Sequence, residues 1–75
     1  MKKIPELGYL VNLVEYERGW GSNVEHVLSF SSETKAIKYA SSYNKTYNNQ
    51  KEVPNYYIAA EFKGPGKTNG TEWRG

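Results

Sequence analysis

YLVNLVEYE, at residues 9–17, is the stretch that decides the fold. It is rich in β-branched and aromatic residues, which favour strands. Side chains alternate between the two faces of a strand. One face therefore carries Tyr9, Val11 and Leu13, and the other carries Leu10, Asn12, Val14 and Tyr16. Because both faces are largely apolar, we predict a central strand that is covered on both sides, or covered on one side and adhesive on the other.

Two further strands and one helix are predicted after this stretch. Residues 24–30 resume strand character, with Leu28 and Phe30 pointing inward, and residues 56–63 (YYIAAEFK) alternate in the same way. Between them, residues 31–33 (SSE) predict a helix start, since a serine side chain can accept from a free backbone N–H. Apolar residues then recur at three- and four-residue steps, at positions Ala36, Ile37, Ala40, Tyr43 and Tyr47.

The predicted fold class is therefore α+β, with one amphipathic helix packed on one face of a three-stranded sheet in the order β-β-α-β. If the third strand runs parallel to the first, we expect it to lie beside it and make the first strand central. The single domain is predicted to span residues 9–66. Residues 1–8 form an N-terminal arm and residues 67–75 a flexible C-terminal tail. The helix is expected to end at residues 48–49, before a polar connection that contains Pro54.

The length and composition limit how such a chain can be stabilised. A chain of 75 residues with no cysteine and one histidine can form neither a disulfide nor a four-ligand zinc site. A small core then depends on good packing or on self-association, so a homodimer is expected as an alternative to a monomer. The absence of cysteine and of an apolar signal-length stretch favours a cytoplasmic location.

No arrangement of residues in the sequence predicts catalysis. The only histidine, His26, lies next to Glu25 in a predicted strand. Neighbouring side chains in a strand point to opposite faces, so the Glu25 carboxylate cannot orient the His26 ring for catalysis. Aspartate is absent, which argues against calcium and magnesium sites. We therefore predict a protein that is not an enzyme and that has no cofactor and no metal.

A protein-binding surface is the interpretation that the sequence favours. One helix covers only one face of a sheet, so the other face is expected to expose aromatic and apolar side chains. Trp20, placed between two glycines in the loop after the first strand, is the kind of residue that anchors interfaces. The predicted binding residues are Trp20, Tyr16, Tyr57, Arg18 and Glu61.

Two alternatives remain open at this point. Basic helix and sheet residues together with sheet aromatics suit nucleic acid, with Lys35, Lys38, Lys45 and Lys63 as the candidates, although nearby glutamates would repel phosphate. A small ligand such as a nucleotide would instead occupy a cleft at a dimer interface, lined by tyrosines and Arg18.

Residues 16–22 (YERGWGS) resemble a pattern found in small bacteriophage-encoded proteins. The preceding residues 9–11 (YLV) and 14–15 (VE) belong to the same pattern. Four later stretches are similar to it too, namely residues 30–33 (FSSE), Ala36, residues 43–44 (YN) and residues 53–60 (VPNYYIAA), and the resemblance covers roughly residues 9–63. It implies a compact protein that binds and blocks a host enzyme, a transcription component or a defence system such as a CRISPR effector. It carries no functional residues over to this chain. The resemblance thus implies a protein that inhibits or modulates a bacterial host protein, in host takeover or anti-defence, within the bacterial cytoplasm.

Overall fold

A computed structural model describes residues 4–48 and 55–75 of the chain. Its elements are strand β1 (Leu7–Glu17), strand β2 (Gly21–Phe30), helix α1 (Glu33–Tyr47), strand β3 (Tyr56–Lys67) and strand β4 (Glu72–Trp73). The predicted α+β class with one helix packed on a sheet is confirmed, although the sheet has four strands in place of three. The predicted polar connection with Pro54 lies outside the described residues.

The sheet has the strand order β3-β1-β2-β4, so β1 lies between its two long neighbours. It pairs antiparallel with both β2 and β3, while the short β4 pairs parallel with β2. Since β2 and β3 both oppose β1, they run in the same direction, and α1 is the crossover between them. The condition attached to the predicted strand placement, a parallel β1–β3 pair, is not met, yet β3 does lie beside β1 and β1 is central.

The core lies between α1 and one face of the sheet. Its buried cluster contains Val11 from β1, residues from both flanking strands and two helix alanines, namely Leu28, Phe30, Ala60, Ala36 and Ala40. The alternation predicted for the strands is visible here, because Tyr9 and Leu13 pack against the same cluster from the Val11 face. The two alanines have short side chains, which lets the helix approach the sheet closely.

Helix α1 begins as predicted, with Ser32 as its N-cap. The Ser32 hydroxyl accepts from the Lys35 backbone N–H at 3.2 Å. Ile37 was predicted to lie on the apolar stripe, but it is 46% exposed because it is turned about 100° around the axis from Ala36. Tyr47, also predicted on the stripe, is exposed, and its ring packs on Tyr43 with centroids 4.7 Å apart.

The outer edge of β3 is closed by side chains from the last turns of α1. The Asn44 amide donates to the Ala60 carbonyl at 2.8 Å and accepts from the Ala60 N–H at 2.9 Å. Asn48 donates to the Ile58 carbonyl at 3.0 Å. Asn44 thus supplies the donor and the acceptor that a neighbouring strand would supply, which protects an edge that could otherwise pair with another chain.

Residues 67–75 were predicted to form a flexible tail, whereas in the structure they contact the sheet at several points. Lys67 completes β3, and the Thr68 N–H donates to the Glu6 carbonyl at 3.0 Å. The hydroxyls of Thr71 and Ser29 are hydrogen-bonded at 2.7 Å, and the Arg74 backbone N–H donates to the Ser29 carbonyl at 2.8 Å. A two-residue strand has no periodicity to reveal it, which explains why the sequence prediction missed β4.

Candidate functional site

The turn between β1 and β2 projects a large aromatic side chain from one end of the sheet. Glu17 and Gly21 form the last pair of the hairpin. The Trp20 backbone N–H donates to the Glu17 carbonyl at 3.0 Å. Gly19 and Gly21 have φ values of 87° and 91°, a left-handed conformation that glycine adopts without strain. This turn leaves the Trp20 side chain 83% exposed.

Two tyrosines form an aromatic wall beside this turn. Tyr16 of β1 and Tyr57 of β3 are directly opposite each other in the sheet, and their rings stack with centroids 5.1 Å apart and planes at 20°. They lie on the sheet face that is turned away from α1, because Tyr16 alternates with the buried helix-side positions of β1. Both rings are half-buried, so they can still accept a further planar or apolar group.

The Tyr16 hydroxyl donates to the carboxylate of Glu61, which lies four residues beyond Tyr57 on the same face of β3. This hydrogen bond is the main reason that the pKa of Tyr16 is raised above its ordinary value of 10.0, with desolvation and the Glu61 charge adding to it. Tyr16 is therefore a neutral hydrogen-bond donor at physiological pH, and its ring is held in one orientation.

Arg18 ties the turn to the start of β3. Its backbone N–H donates to the Asn55 carbonyl at 2.8 Å. Within the described ranges, the Arg18 guanidinium forms no ion pair. The cation therefore keeps its donors available for a ligand carboxylate, phosphate or carbonyl.

These residues surround an open depression of about 620 Å³, which we call the hairpin-end cleft. Its lining consists of Tyr16, Glu17, Arg18, Gly21, Ser22, Asn55 and Tyr57. The cleft thus combines an aromatic wall, one guanidinium, one carboxylate, a hydroxyl and an amide. That set suits a flat or aromatic group carrying hydrogen-bond acceptors, and the volume falls within the range of about 300–1,000 Å³ typical of ligand sites.

The structure brings together most of the residues that the sequence predicted for protein binding. Tyr16, Tyr57 and Arg18 line the hairpin-end cleft, and Glu61 is bonded to Tyr16. Trp20 lies in the adjoining turn but is not part of the lining. Asn55 and Ser22 were not predicted as site residues, since polar residues next to a turn carry no signal of their own in a single sequence.

The predicted nucleic-acid residues are not gathered in one place. Lys35 and Lys38 border a second hollow of about 620 Å³ beside α1, and Lys45 and Lys63 are not among its lining residues. Arg74 lines the same hollow, with its guanidinium 5.5 Å from the centre of the Tyr39 ring. Arg74 also pairs with Glu72 at 3.0 Å. Sequence reasoning missed Arg74 because it placed that residue in a mobile tail.

Two kinds of feature are absent from residues 4–48 and 55–75. That part of the chain contains no group of three or more histidine, cysteine or acidic side chains arranged to hold a metal ion. It also contains no helix with the length and apolar character that crossing a bilayer requires.

Comparison with known proteins gives no further lead. No protein family, no curated protein and no solved structure gives a significant match to this chain.

Proposed function

We propose that this protein is a non-enzymatic binding module that uses its hairpin end to hold a partner protein, and that the partner is a bacterial host protein which it inhibits or modulates. The observation that carries the proposal is the exposed Trp20 beside a cleft lined by Arg18 and two stacked tyrosines. Tryptophan, tyrosine and arginine are the residues that most often dominate the energy of protein interfaces. The bacterial and anti-defence context rests on the resemblance of residues 16–22 to small phage proteins.

The position of Trp20 supports a role in binding over a role in folding. A side chain that is 83% exposed contributes little to the free energy of unfolding. Two glycines with positive φ hold the turn that presents it. The Trp20→Ala variant should therefore change stability by no more than about 0.5 kcal/mol, as is usual for surface substitutions. A loss of binding in that variant can then be assigned to the missing contact.

The test compares affinity capture from bacterial lysate by tagged wild-type protein and by three variants. Trp20→Ala and Arg18→Ala should lose a partner protein that the wild type and the control Lys45→Ala retain. Lys45 is exposed in the last turn of α1 and lines neither hollow. For the purified partner, Trp20→Ala should raise Kd by at least about 30-fold, the equivalent of an interface hot spot. If no captured protein depends on Trp20 or Arg18, the proposal is wrong.

A small ligand in the hairpin-end cleft is the second candidate function, and the lining itself favours it. A flat ring can stack on the two tyrosines, and the Arg18 guanidinium can donate hydrogen bonds to an anionic group such as a phosphate. Binding of a nucleotide to the native state would raise Tm as the ligand concentration increases. A nucleotide panel that stabilises the wild type but not Arg18→Ala or Tyr57→Ala would favour this candidate over a protein partner.

Nucleic-acid binding has a narrower structural basis, namely Lys35, Lys38 and Arg74 around the hollow beside α1. Under this alternative, a different set of substitutions should weaken binding. Affinity for labelled DNA or RNA should fall steeply with salt and should depend on Lys35 and Lys38, with little effect of Trp20→Ala.

A further inference from the structure

We propose that the hollow beside α1, which we call the basic hollow, binds a small molecule that carries a phosphate group, such as a nucleotide or another phosphomonoester. This inference goes beyond the proposed function, which uses the hairpin end. The two places lie at opposite ends of β2, because Gly21 lines the hairpin-end cleft and Phe30 lines the basic hollow. The ten residues of β2 rise by about 3.3 Å each, so about 30 Å separates the two places.

Three positive side chains from two distant parts of the chain line the basic hollow. Lys35 and Lys38 come from the first two turns of α1, and Arg74 comes from the segment after β4. Tyr39 and Ser42 add two residues that carry hydroxyl groups. None of the lining residues, all of which lie in the described part of the chain, is acidic. A hollow lined by charges of one sign concentrates the electric field and attracts ligands of the opposite sign.

The side-chain charges around the basic hollow leave an excess of two positive charges. Glu72 pairs with Arg74 at 3.0 Å and offsets one of the three cations. Glu33 is the only acidic residue of α1. At about 100° per residue it is turned by about 160° around the helix axis from Lys35 and about 140° from Lys38, so it lies on another side of the helix. A phosphomonoester carries a charge of about −1.5 to −2 at pH 7 and three acceptor oxygens, which matches this excess.

Arg74 is held in position by the fold itself. Its backbone N–H donates to the Ser29 carbonyl at 2.8 Å, and its guanidinium lies 5.5 Å from the centre of the Tyr39 ring. A guanidinium has five N–H donors in one plane, and the Glu72 carboxylate accepts from one nitrogen at 3.0 Å. The remaining donors can bind two phosphate oxygens at once, a geometry that a lysine ammonium does not offer.

The start of α1 and the tail are joined at the mouth of the basic hollow. The Ser31 backbone N–H and hydroxyl donate to the Gly75 carbonyl at 3.2 and 3.0 Å. The Lys35 ammonium lies 3.4 Å from the Ser31 hydroxyl and 3.4 Å from the Gly75 carbonyl. These contacts place Lys35 next to the segment that carries Arg74. At 3.4 Å they are long for hydrogen bonds, so the ammonium can turn towards an anion without breaking a strong one.

The gathering of these cations in one hollow favours a small ligand over a nucleic-acid chain. Proteins that bind single strands use a positively charged groove that follows the backbone over several nucleotides. Lys45 lies ten residues after Lys35, about 15 Å further along the helix axis, and neither Lys45 nor Lys63 lines the basic hollow. Its volume of about 620 Å³ falls within the range of about 300–1,000 Å³ typical of small-molecule sites.

The test records ¹H–¹⁵N NMR spectra of the full chain during titration with adenosine monophosphate, inorganic phosphate or acetate. Both phosphates should give saturable shifts at the amides of Lys35, Tyr39 and Arg74, and acetate, with its single charge, should bind more weakly. Arg74→Gln should raise the Kd for adenosine monophosphate at least about 10-fold, because charge-assisted hydrogen bonds are lost. Lys38→Gln gives an independent check that leaves the tail contacts of Arg74 in place, and it should raise Kd about 3-fold.

The matched control is Lys45→Gln, which removes the same charge from the same helix outside the basic hollow. It should change Kd by less than about 2-fold at 0.15 M salt, because separated charges are screened. An absence of saturable shifts would overturn the proposal, as would equal losses in Lys38→Gln and Lys45→Gln or equal binding of acetate. So would a single-stranded oligonucleotide that binds where adenosine monophosphate does not. Shifts confined to the hairpin end and lost in Arg18→Gln would place the ligand in the hairpin-end cleft and also overturn it.

Discussion

Replacing Asn44 by alanine tests whether the helix stabilises the sheet by closing its edge. The substitution removes both hydrogen bonds to the backbone of Ala60, at 2.8 and 2.9 Å. Ala60 is only 4% exposed, so its N–H and C=O find little water as a replacement. A net hydrogen bond contributes about 1 kcal/mol, and a buried group left without a partner costs about 1–3 kcal/mol. We therefore expect Asn44→Ala to lower the free energy of unfolding by about 2–4 kcal/mol.

That loss is large for a chain of this length. A domain of 75 residues has a total stability of about 4–11 kcal/mol. At about 4–8 °C per kcal/mol, Tm should fall by about 8–32 °C. Urea denaturation and thermal melts followed by circular dichroism would measure both quantities. All variants are compared at one protein concentration, because self-association would make the measured stability depend on concentration.

Two further variants provide a scale for the stability loss expected in Asn44→Ala. Asn48→Ala removes the bond to the Ile58 carbonyl and a longer bond, at 3.2 Å, that the Asn48 amide donates to the Asn44 side-chain oxygen, and it should cost about 1–2 kcal/mol. Ser41→Ala, on the exposed side of the same helix, should change stability by no more than about 0.5 kcal/mol. If Asn44→Ala is no less stable than Ser41→Ala, the two bonds to Ala60 do not stabilise the fold and the reasoning is refuted.

Two other predictions follow from local contacts. Ser32→Ala removes the acceptor for the Lys35 N–H and should lower the free energy of unfolding by about 1 kcal/mol in the same melts; an unchanged midpoint would show that the cap is dispensable. Glu61→Gln should lower the pKa of Tyr16 towards 10.0, because the carboxylate bond is the main cause of its rise, and an NMR titration of the ring would detect it. Since a raised pKa means that the folded chain binds this proton more tightly, its contribution to stability is complete below pH 10.0 and is lost as pH rises through the raised pKa. A titration curve that is identical in wild type and Glu61→Gln would contradict this assignment.

The parts of the fold that the sequence predicts are those governed by local periodicity. Alternation along β1 correctly placed Val11 and Val14 on opposite faces, and the structure shows that the Val11 face points towards the core. The serine before the helix start was correctly placed at the helix N-terminus, where Ser32 is the cap. Each of these follows from the geometry of one element, so neighbouring residues in sequence contain the information.

The parts that were missed depend on contacts between distant residues. A polar helix residue such as Asn44 is expected to face solvent, and only the packing of α1 against β3 reveals that it bonds to Ala60. The antiparallel direction of β3 depends on how the crossover returns to the sheet. The tail was missed for a similar reason, because Thr71 and Arg74 are held by Ser29, more than forty residues earlier.

The candidate site lies between these two cases. Tyr16 and Tyr57 were each predicted as binding residues, yet their stacking depends on the β1–β3 register, which periodicity does not specify. Arg18 and Trp20 were recognised by residue type and by their flanking glycines. The hairpin-end cleft itself emerges only when β3 is placed beside β1, because that pairing brings Asn55 against the turn.

The separation of the core from the hairpin end has a consequence for how this protein could work. The buried cluster and the Asn44 bonds hold the helix and sheet together, and none of these residues lines the hairpin-end cleft. At 83% exposure, the Trp20 side chain adds little to the free energy of unfolding. An exposed aromatic side chain also increases the tendency to aggregate. A partner that covers Trp20 removes that penalty and recovers the hydrophobic free energy as affinity. The turn can therefore change to suit a partner without loss of stability, so Trp20→Ala should impair binding while Asn44→Ala should impair folding.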